Sequence, residues 1–376
     1  MNQKIAHFLS EHSPDTPCLV VDLDVIGEAY DLLCRYLPNA SVYYAVKANP
    51  AAEIVRLLAK RGSNFDVASR GEVALCLDNG ATADRLSFGN TIKKERDIAF
   101  AYGTGVRLFA FDSEAELEKL ARAAPGARVF CRILVSCQGA DWPLSRKFGC
   151  APEMAAALLR RARDYGLDPY GLSFHVGSQQ TDLGQWDGAI GAVAQMFSVL
   201  AEADINLRMV NIGGGFPARY RGDVSPIEAY ARAVTAALTR HFGNDLPDVI
   251  VEPGRSLVGD AGLIQSEVVL ISDKGDGSDK RWVYLDVGKF NGLAETMDES
   301  IKYRIHTPGR GGAVGPVVLA GPTCDSADIL YERTDYALPL ELEVGDKVEI
   351  LSAGAYTASY SSVGFNGFPP LRTYCI

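Results

Sequence analysis

The sequence lacks the features that are typical of nucleic-acid-binding proteins and of membrane proteins. No Lys/Arg cluster forms a basic stripe, and the net charge of -10 repels phosphate backbones. No apolar run reaches the ~18 residues that a membrane-spanning helix needs, and the first residues show no basic-then-apolar leader pattern. We therefore expect a cytoplasmic protein that binds neither nucleic acid nor a membrane.

Cysteine is present without the spacings that build disulfide frameworks or zinc sites. The eight cysteines form no CxxC pair, which predicts reduced thiols and no structural metal. Low-complexity tracts are missing too, and a hydrophobic content of 47% is typical of a folded globular protein. Because a chain of 376 residues is longer than a single hydrophobic core usually accommodates, we expect a large barrel with an appendage, or two domains.

Short β-rich runs alternate with amphipathic helical stretches from about residue 40 to residue 255. The predicted strands are 41–47, 64–69, 85–90, 108–113, 129–135, 170–178, 207–215 and 248–254. Eight strands, each followed by a helix, favour an α/β fold of the (β/α)8 TIM-barrel type, because an open doubly wound sheet more often stops at five or six.

The pattern changes after residue 260 to β-type runs joined by turn-rich pieces, without a long helical period. This pattern predicts an antiparallel β-domain. The strand-like segment 18–24 precedes the first barrel strand and is expected to join that domain. We thus predict a barrel over 25–260 and a β-domain built from 1–24 and 261–376.

Polar residues and glycines collect at the C-terminal ends of the predicted barrel strands, which is where barrel enzymes place their active sites. The candidates are Lys47, Asp66, His175, Ser178, Gly213, Gly214, Gly215, Glu252, Gly254 and Arg255.

The three consecutive glycines let the backbone approach an anion and point N–H groups at it, and barrels often bind phosphate after strands seven and eight. Arg255 supplies a bidentate partner for the same phosphate. Standing alone, the glycines would indicate only a tight turn.

Lys47 lies among apolar and aromatic residues, where desolvation would lower its pKa and make its amine a nucleophile toward an aldehyde. A lysine beside a phosphate cradle predicts pyridoxal phosphate. Glu252 would pair with the pyridine nitrogen of that cofactor, and His175 would stack on its ring. The alternatives are an exposed strand-end lysine, a helix N-terminal carboxylate and a structural imidazole.

Eight motifs in this order resemble the fold-type III, ornithine/diaminopimelate/arginine decarboxylase family of pyridoxal-phosphate enzymes, over nearly the entire chain. The motifs are YYAVKAN, FDVAS, SRKFG, SFHVGSQ, NIGGGFP, VEPGR, GPTCDSAD and AGAYT. The resemblance implies a cofactor-binding barrel and a β-domain that completes the active site of the neighbouring subunit in a head-to-tail homodimer. It implies that Lys47 binds the cofactor covalently. The phosphate-binding residues implied are Ser178, Gly215, Arg255 and Tyr356.

The GPTCDSAD motif carries the choice of substrate. By resemblance, Cys324 and Asp325 enter from the partner chain; Cys324 returns a proton to the substrate carbon after carbon dioxide leaves, and Asp325 pairs with the distal ammonium. A Cys followed by Asp is similar to the ornithine or lysine branch, which implies conversion of L-ornithine to putrescine in polyamine biosynthesis. Outside these roles, Asp325 and Asp328 would be solvated turn residues.

Residues 286–303 depart from the animal-type ornithine enzymes, which carry a second substrate-binding Asp there. Glu295 or Asp298 is expected to replace it, and Phe365 is expected beside the substrate. Alternatively, the two carboxylates belong to a solvated acidic loop.

Several other functions compete with this interpretation. A lysine or dual lysine/ornithine decarboxylase differs by one methylene of substrate, worth only ~1–3 kcal/mol of discrimination. A racemase of related fold is disfavoured by Glu252. A catalytically inactive regulatory binding protein of the same fold could lose Lys47, Arg255 or Cys324 without penalty, yet all three are present.

Overall fold

The computed structural model describes residues 2–142, 147–275 and 277–376. The chain divides into two compact units. The barrel unit comprises Gly27–Pro217 and Val224–Ser256, and the sheet unit comprises Met1–Ile26, Ala218–Asp223 and Leu257–Ile376. No helix in the described ranges has the length and apolarity to cross a membrane.

The described residues form strands throughout both units. In chain order they are β1 (Cys18–Val21), β2 (Ala40–Ala45), β3 (Asn64–Val67), β4 (Leu86–Phe88), β5 (Leu108–Phe111), β6 (Arg128–Arg132), β7 (Ala140–Trp142), β8 (Asp168–Ser173), β9 (Ser178–Gln180), β10 (Met209–Asn211), β11 (Asp248–Val251), β12 (Gly262–Ser272), β13 (Arg281–Leu285), β14 (Arg304–His306), β15 (Val314–Ala320), β16 (Ile329–Pro339), β17 (Lys347–Leu351) and β18 (Arg372–Cys375).

The α-helices of the same residues are α1 (Gln3–His12), α2 (Leu23–Tyr36), α3 (Ala52–Lys60), α4 (Arg70–Asp78), α5 (Glu95–Gly103), α6 (Glu114–Ala123), α7 (Pro152–Asp164), α8 (Gln185–Ala201), α9 (Ile227–Phe242) and α10 (Arg255–Val258). Short 3-10 helices cover Val46–Ala48, Ala83–Arg85, Gly259–Ala261, Ala294–Glu299 and Phe365–Gly367.

The barrel unit confirms the predicted parallel barrel. Strands β2, β3, β4, β5, β6, β8, β10 and β11 pair in parallel and close into a ring, in which β11 returns to β2. Alternate residues such as Leu108 and Ala110 of β5 point inward and pack with Phe130, Met209 and Ile250. The interior is therefore a packed apolar core rather than a pore.

Several predicted barrel strands are too long at their C-terminal ends. The predicted strand 41–47 ends at Ala45, and the predicted strand 170–178 ends at Ser173. At these ends the chain leaves the ladder to form turns that carry the polar candidates. The sequence pattern also failed to predict helix α2, although its apolar residues lie on one face.

Helix α4 shows how the sequence fixes a helix start beside the candidate site. The hydroxyl of Ser69 accepts a hydrogen bond from the N–H of Glu72 at 3.2 Å. The Glu72 carboxylate in turn accepts from the N–H of Ala68 at 2.7 Å. This exchange satisfies donors at the start of the helix and fixes the turn that follows β3.

The sheet unit is built on one sheet with the path β14-β17-β12-β13-β15-β16. Strand β1 pairs with β12 antiparallel and with β18 in parallel. Most pairs are antiparallel as predicted, but β13 also pairs with β15 in parallel, so the sheet is mixed. The connection from β13 to β15 spans residues 286–313, which is long enough for the crossover that a parallel pair requires.

Candidate active site

The three glycines after β10 form a turn that has no room for side chains. Gly213 and Gly215 have φ angles of +66° and +99°, which L-residues rarely adopt. An added Cβ at Gly213 or at Gly214 would lie 2.5 Å from a backbone oxygen. The turn is thus restricted to glycine by both conformation and space.

This turn has the properties of a phosphate cradle. Within the described part of the chain, the N–H groups of Gly214 and Gly215 have no hydrogen-bond acceptor. Arg255 is only 3% exposed, and its Nε donates to the hydroxyl of Ser178 at 3.2 Å. Unused N–H donors near a buried guanidinium fit an anionic group such as a phosphate ester. The predicted residue Gly254, immediately before Arg255, is also buried.

Lys47 forms an ion pair with Asp66 at the C-terminal ends of β2 and β3. The Lys47 Nζ lies 2.9 Å from Asp66 Oδ2. Lys47 belongs to the 3-10 turn Val46–Ala48 rather than to a strand, and its side chain is 48% exposed. The predicted desolvation of Lys47 is therefore wrong for the isolated chain. The amine is instead positioned by a buried carboxylate.

Asp66 is positioned by the absence of a side chain at Gly89. A Cβ added at Gly89 would lie 2.0 Å from Asp66 Oδ1. That oxygen is buried and has no hydrogen-bond partner among the described groups. Gly89 follows β4, so a third strand end contributes to the position of the Lys47 amine.

Glu252 follows β11 and is hydrogen-bonded to Asn211 at 2.5 Å. Burial, then the nearby Asp66 carboxylate, raises the pKa of Glu252 to about 7. The same Asn211 accepts a hydrogen bond from the N–H of Gly213 at 2.9 Å through its side-chain oxygen. Asn211 therefore couples the carboxylate to the glycine turn. A cationic ring nitrogen beside Glu252 would favour the charged carboxylate.

His175 follows β8 and has a defined orientation. Its Nδ1 accepts a hydrogen bond from the N–H of Gly177 at 3.0 Å. Burial, together with the positive charges of Arg132 and Lys47, holds the pKa of His175 well below its usual range. The imidazole is therefore neutral, with its proton on Nε2, and it is suited to stacking on a flat ring.

Sequence reasoning missed Arg132 at the end of β6. Burial lowers the pKa of Arg132, whereas the carboxylates of Glu252, Asp112 and Asp66 raise it. Arg132 thus contributes positive charge to the field around the candidates. An arginine inside the apolar run VFCRILV is the signal that would have identified it. The SRKFG motif further along begins with Ser145 and Arg146, which lie outside the described residues.

Gln180 was also missed; it lies immediately after the quoted SFHVGSQ motif, which ends at Gln179. Its side chain is fully buried, and Nε2 donates to the carbonyls of Gln138 at 2.9 Å and Val176 at 2.8 Å. Its backbone N–H donates to the carbonyl of Gly215 at 2.9 Å. Gln180 thereby joins the loop after β6, the turn after His175 and the glycine turn.

The sheet unit carries two candidate residues of the GPTCDSAD motif on its surface. Cys324 and Asp325 are exposed, and the N–H of Cys324 donates to Asn366 Oδ1 at 3.0 Å. Phe365, next to Asn366, lies with its ring 4.8 Å from that of Phe290. The structure therefore brings Cys324 and Phe365 into one cluster.

Asp328 is not the solvated turn residue that we predicted. It is 2% exposed, and its carboxylate accepts hydrogen bonds from the N–H of Lys289 at 2.8 Å and from the hydroxyl of Thr323 at 2.7 Å. It also accepts from the N–H of Thr323 at 3.1 Å. Asp328 therefore anchors the exposed Cys324 loop to the segment that follows β13.

The remaining candidates of the sheet unit differ in exposure. Glu295 is 4% exposed, so it is no member of a solvated loop, whereas Asp298 is exposed in a turn with a φ angle of +53°. Tyr356 is half-buried and has a φ angle of +59°.

Comparison with known proteins identifies the family. Residues 23–259 match the family described as pyridoxal-dependent decarboxylase, pyridoxal binding domain. The lysine/ornithine decarboxylase of Selenomonas ruminantium is 36% identical over 98% of this chain and 91% of its own length. A structure of SrLDC in complex with PLP and cadaverine matches with a TM-score of 0.89 and 34% identity, covering 100% of this chain and 94% of that chain.

The structure of a lysine/ornithine decarboxylase from Vibrio vulnificus, complexed with cadaverine, matches with a TM-score of 0.88 at 32% identity. It covers 100% of this chain and 98% of that chain. A glycine cradle, a positioned lysine and a buried carboxylate suit the cofactor of these proteins. The chain belongs to the pyridoxal-dependent amino acid decarboxylases, and its cofactor is pyridoxal phosphate.

Proposed function

We propose that this chain converts L-ornithine to putrescine and carbon dioxide and that it also accepts L-lysine. The observation that carries the proposal is the barrel site, where the Lys47 amine, the half-buried Glu252 and the donors of Gly214 and Gly215 occupy the C-terminal ends of parallel strands. The lysine/ornithine names of the relatives support the choice of substrate.

Bound pyridoxal phosphate supplies an aldehyde and an electron-withdrawing ring, which together stabilise the negative charge left on the substrate α-carbon when carbon dioxide departs. Lys47 is the residue that would bind the aldehyde carbon. Glu252 would face the ring nitrogen and keep it protonated. Neutral His175 would cover one face of the ring.

The phosphate would be held by the N–H groups of Gly214 and Gly215 together with the buried Arg255. Ser178 would keep the guanidinium in place through its hydrogen bond to Nε. We include Tyr356 of the sheet unit in this set on the resemblance of the AGAYT motif alone.

The substrate half of the site is assigned to the sheet unit. Cys324 would return the proton to the α-carbon, and Asp325 would pair with the distal ammonium of the substrate. Both are exposed in the isolated chain, which suits groups that act on the barrel of a second protomer. We therefore propose a homodimer with its active sites at the subunit interface. Glu295 and Asp298 remain alternatives for the second contact to the distal amine of the substrate. Phe365 is assigned to the wall of the pocket beside that amine.

A competition assay tests the proposal. The purified protein is loaded with pyridoxal phosphate and given equimolar ornithine, lysine, arginine and diaminopimelate, and the amine products are identified by mass. We expect putrescine as the main product and cadaverine as the second. A majority of cadaverine would reassign the preferred substrate to lysine. If the cofactor-loaded protein formed no amine, the proposed decarboxylase activity would be contradicted. That result would favour the alternative of an inactive regulatory protein.

A further inference from the structure

Two buried cysteines of the barrel unit lie close enough to react with each other. The Sγ atoms of Cys131 and Cys150 are 3.6 Å apart. Cys131 belongs to β6, and Cys150 lies two residues before the first residue of α7. Cys131 is 0% exposed and Cys150 is 6% exposed.

The backbone places both side chains on one face. Cys150 forms a parallel bridge with Ile133, because its N–H donates to the carbonyl of Arg132 at 3.1 Å and its own carbonyl accepts from the N–H of Leu134 at 2.9 Å. Cys131 and Ile133 are two residues apart along an extended strand, so they point to the same side. Bonding the two sulfurs at about 2.05 Å requires them to approach by only roughly 1.5 Å.

The pair also has an asymmetry that suits thiol chemistry. The hydrogen bond from Cys131 lowers the pKa of the Cys150 thiol, whereas burial raises that of Cys131. Cys150 is therefore the better thiolate of the two, and it is also the one with some exposure. Cys131 is placed to act as the resolving thiol.

We propose that Cys131 and Cys150 form a reversible disulfide when the protein meets a peroxide. The Cys150 thiolate attacks one peroxide oxygen, the O–O bond breaks, and the hydroxide released takes a proton to become water. The sulfur of Cys131 then attacks the oxidised Cys150 sulfur, an S–S bond forms, and the S–O bond breaks. The second water leaves with the Cys131 proton, so two thiols are oxidised as one hydrogen peroxide gives two waters.

The disulfide would disturb the end of β6 that carries Arg132. Arg132 follows Cys131 directly, and its carbonyl accepts the hydrogen bond from Cys150. Gly149, next to Cys150, is tied by its N–H to Asp112 at 2.8 Å, so the strain of closure is shared between this turn and the end of β6. A displacement near 1 Å in an active site costs on the order of 100-fold in rate. We expect a roughly tenfold loss of decarboxylase activity, a part of the inference that rests on the proposed function.

Peptide mapping of the peroxide-treated holoprotein tests the disulfide without any activity assay. The protein is treated with hydrogen peroxide, unfolded in the presence of N-ethylmaleimide so that every remaining thiol is blocked, and digested without reductant. We expect a linked peptide pair, about 2 Da lighter than the two thiol peptides together, that dithiothreitol separates. Recovery of Cys131 and Cys150 as blocked thiols, while Cys324 is oxidised, would overturn the proposal.

The variant Cys150→Ser separates this inference from the chemistry of other cysteines. It is compared with Cys76→Ser, which alters another fully buried cysteine of the barrel unit. We expect the linked peptide to be lost in Cys150→Ser and retained in Cys76→Ser. We also expect peroxide to reduce the activity of Cys150→Ser less than that of the wild type or Cys76→Ser, the remaining loss coming from oxidation of the exposed Cys324. Equal loss of activity in all three proteins would refute the regulatory effect, while the peptide map still decides whether the disulfide forms.

Discussion

The barrel unit buries or half-buries its candidate functional residues with the exception of Lys47, whereas the sheet unit exposes Cys324 and Asp325. In the barrel unit, Arg255 is 3% exposed and Glu252 has a pKa raised to about 7 by burial. In the sheet unit, Cys324 and Asp325 are exposed, whereas the anchor Asp328 below them is buried. The difference fits our proposal of a preorganised cofactor half in the barrel unit and a substrate half in the sheet unit, whose candidate residues lie on an anchored loop.

The largest effect should come from the barrel unit. Replacing Lys47 with alanine removes the amine that we assign to the cofactor aldehyde, and activity should fall by at least roughly a thousandfold. Borohydride reduction followed by peptide mass analysis should find the cofactor attached at Lys47 in the wild type only. The control Lys60→Ala alters an exposed lysine of α3 and should retain activity. Attachment at another lysine would disprove the assignment.

Cys324→Ala separates the two halves. A general acid contributes typically about 100- to 10,000-fold, so we expect kcat to fall by roughly 100-fold. The affinity for pyridoxal phosphate, measured by reconstitution of the apoprotein, should not change because we assign Cys324 to the substrate half. Cys375→Ala, in β18 of the same unit, serves as the control. A matching loss of cofactor affinity in Cys324→Ala would remove the distinction between the halves.

Asp325 and Asp328 should behave differently although they are three residues apart. Asp328→Ala leaves three half-buried donors, at Lys289 and Thr323, without their acceptor and should reduce the free energy of unfolding by about 2–4 kcal/mol. Asp325→Ala, at an exposed position, should change stability by less than about 0.5 kcal/mol but raise KM for the basic substrate. Thermal unfolding and steady-state kinetics measure both. Equal melting temperatures would show that Asp328 is no anchor.

Gln180→Leu tests whether the phosphate-binding glycine turn depends on Gln180, which is hydrogen-bonded to it through Gly215. The variant leaves the carbonyls of Gln138 and Val176 without their donor, so we expect the Kd for pyridoxal phosphate to rise roughly tenfold. Gln195→Leu, at an exposed site of α8, is the matched control. If the Kd were unchanged in both variants, phosphate binding would depend on the glycine turn and Arg255 without a contribution from Gln180.

A further effect concerns the pH dependence of the stability of the apoprotein. Because the pKa of Glu252 is raised to about 7, the folded state binds more protons than the unfolded state between roughly pH 4.5 and 7. The Glu252 contribution to stability must therefore decrease as pH rises through that window. The melting temperature of the wild type relative to Glu252→Gln should fall from about pH 5 to about pH 7.5. A melting-temperature difference that stays constant over this pH range would show that the pKa of Glu252 is not raised in the folded apoprotein.

The sequence identified the barrel and the strands of the sheet unit, because the hydrophobic period is a local signal. It also predicted the cofactor residues from local glycine and lysine motifs, and that assignment stays a prediction. It did not identify Arg132, Asn211 or Gln180, whose roles depend on contacts between loops that are distant along the chain. It also assigned Asp328 to solvent, because a turn composition does not tell which carboxylate points inward. The exposure of Lys47 was missed because apolar residues that are adjacent to it in sequence do not surround its side chain in the folded structure.

Mixing two inactive variants tests the central claim that one site is assembled from two halves. Lys47→Ala keeps an intact sheet unit, and Cys324→Ala keeps an intact barrel unit. If the protein is a homodimer with shared sites, random exchange gives half heterodimers with one complete site each, or about a quarter of wild-type activity. We predict recovery toward that level after mixing and subunit exchange. No recovery, with exchange verified by differently tagged chains, would contradict the account.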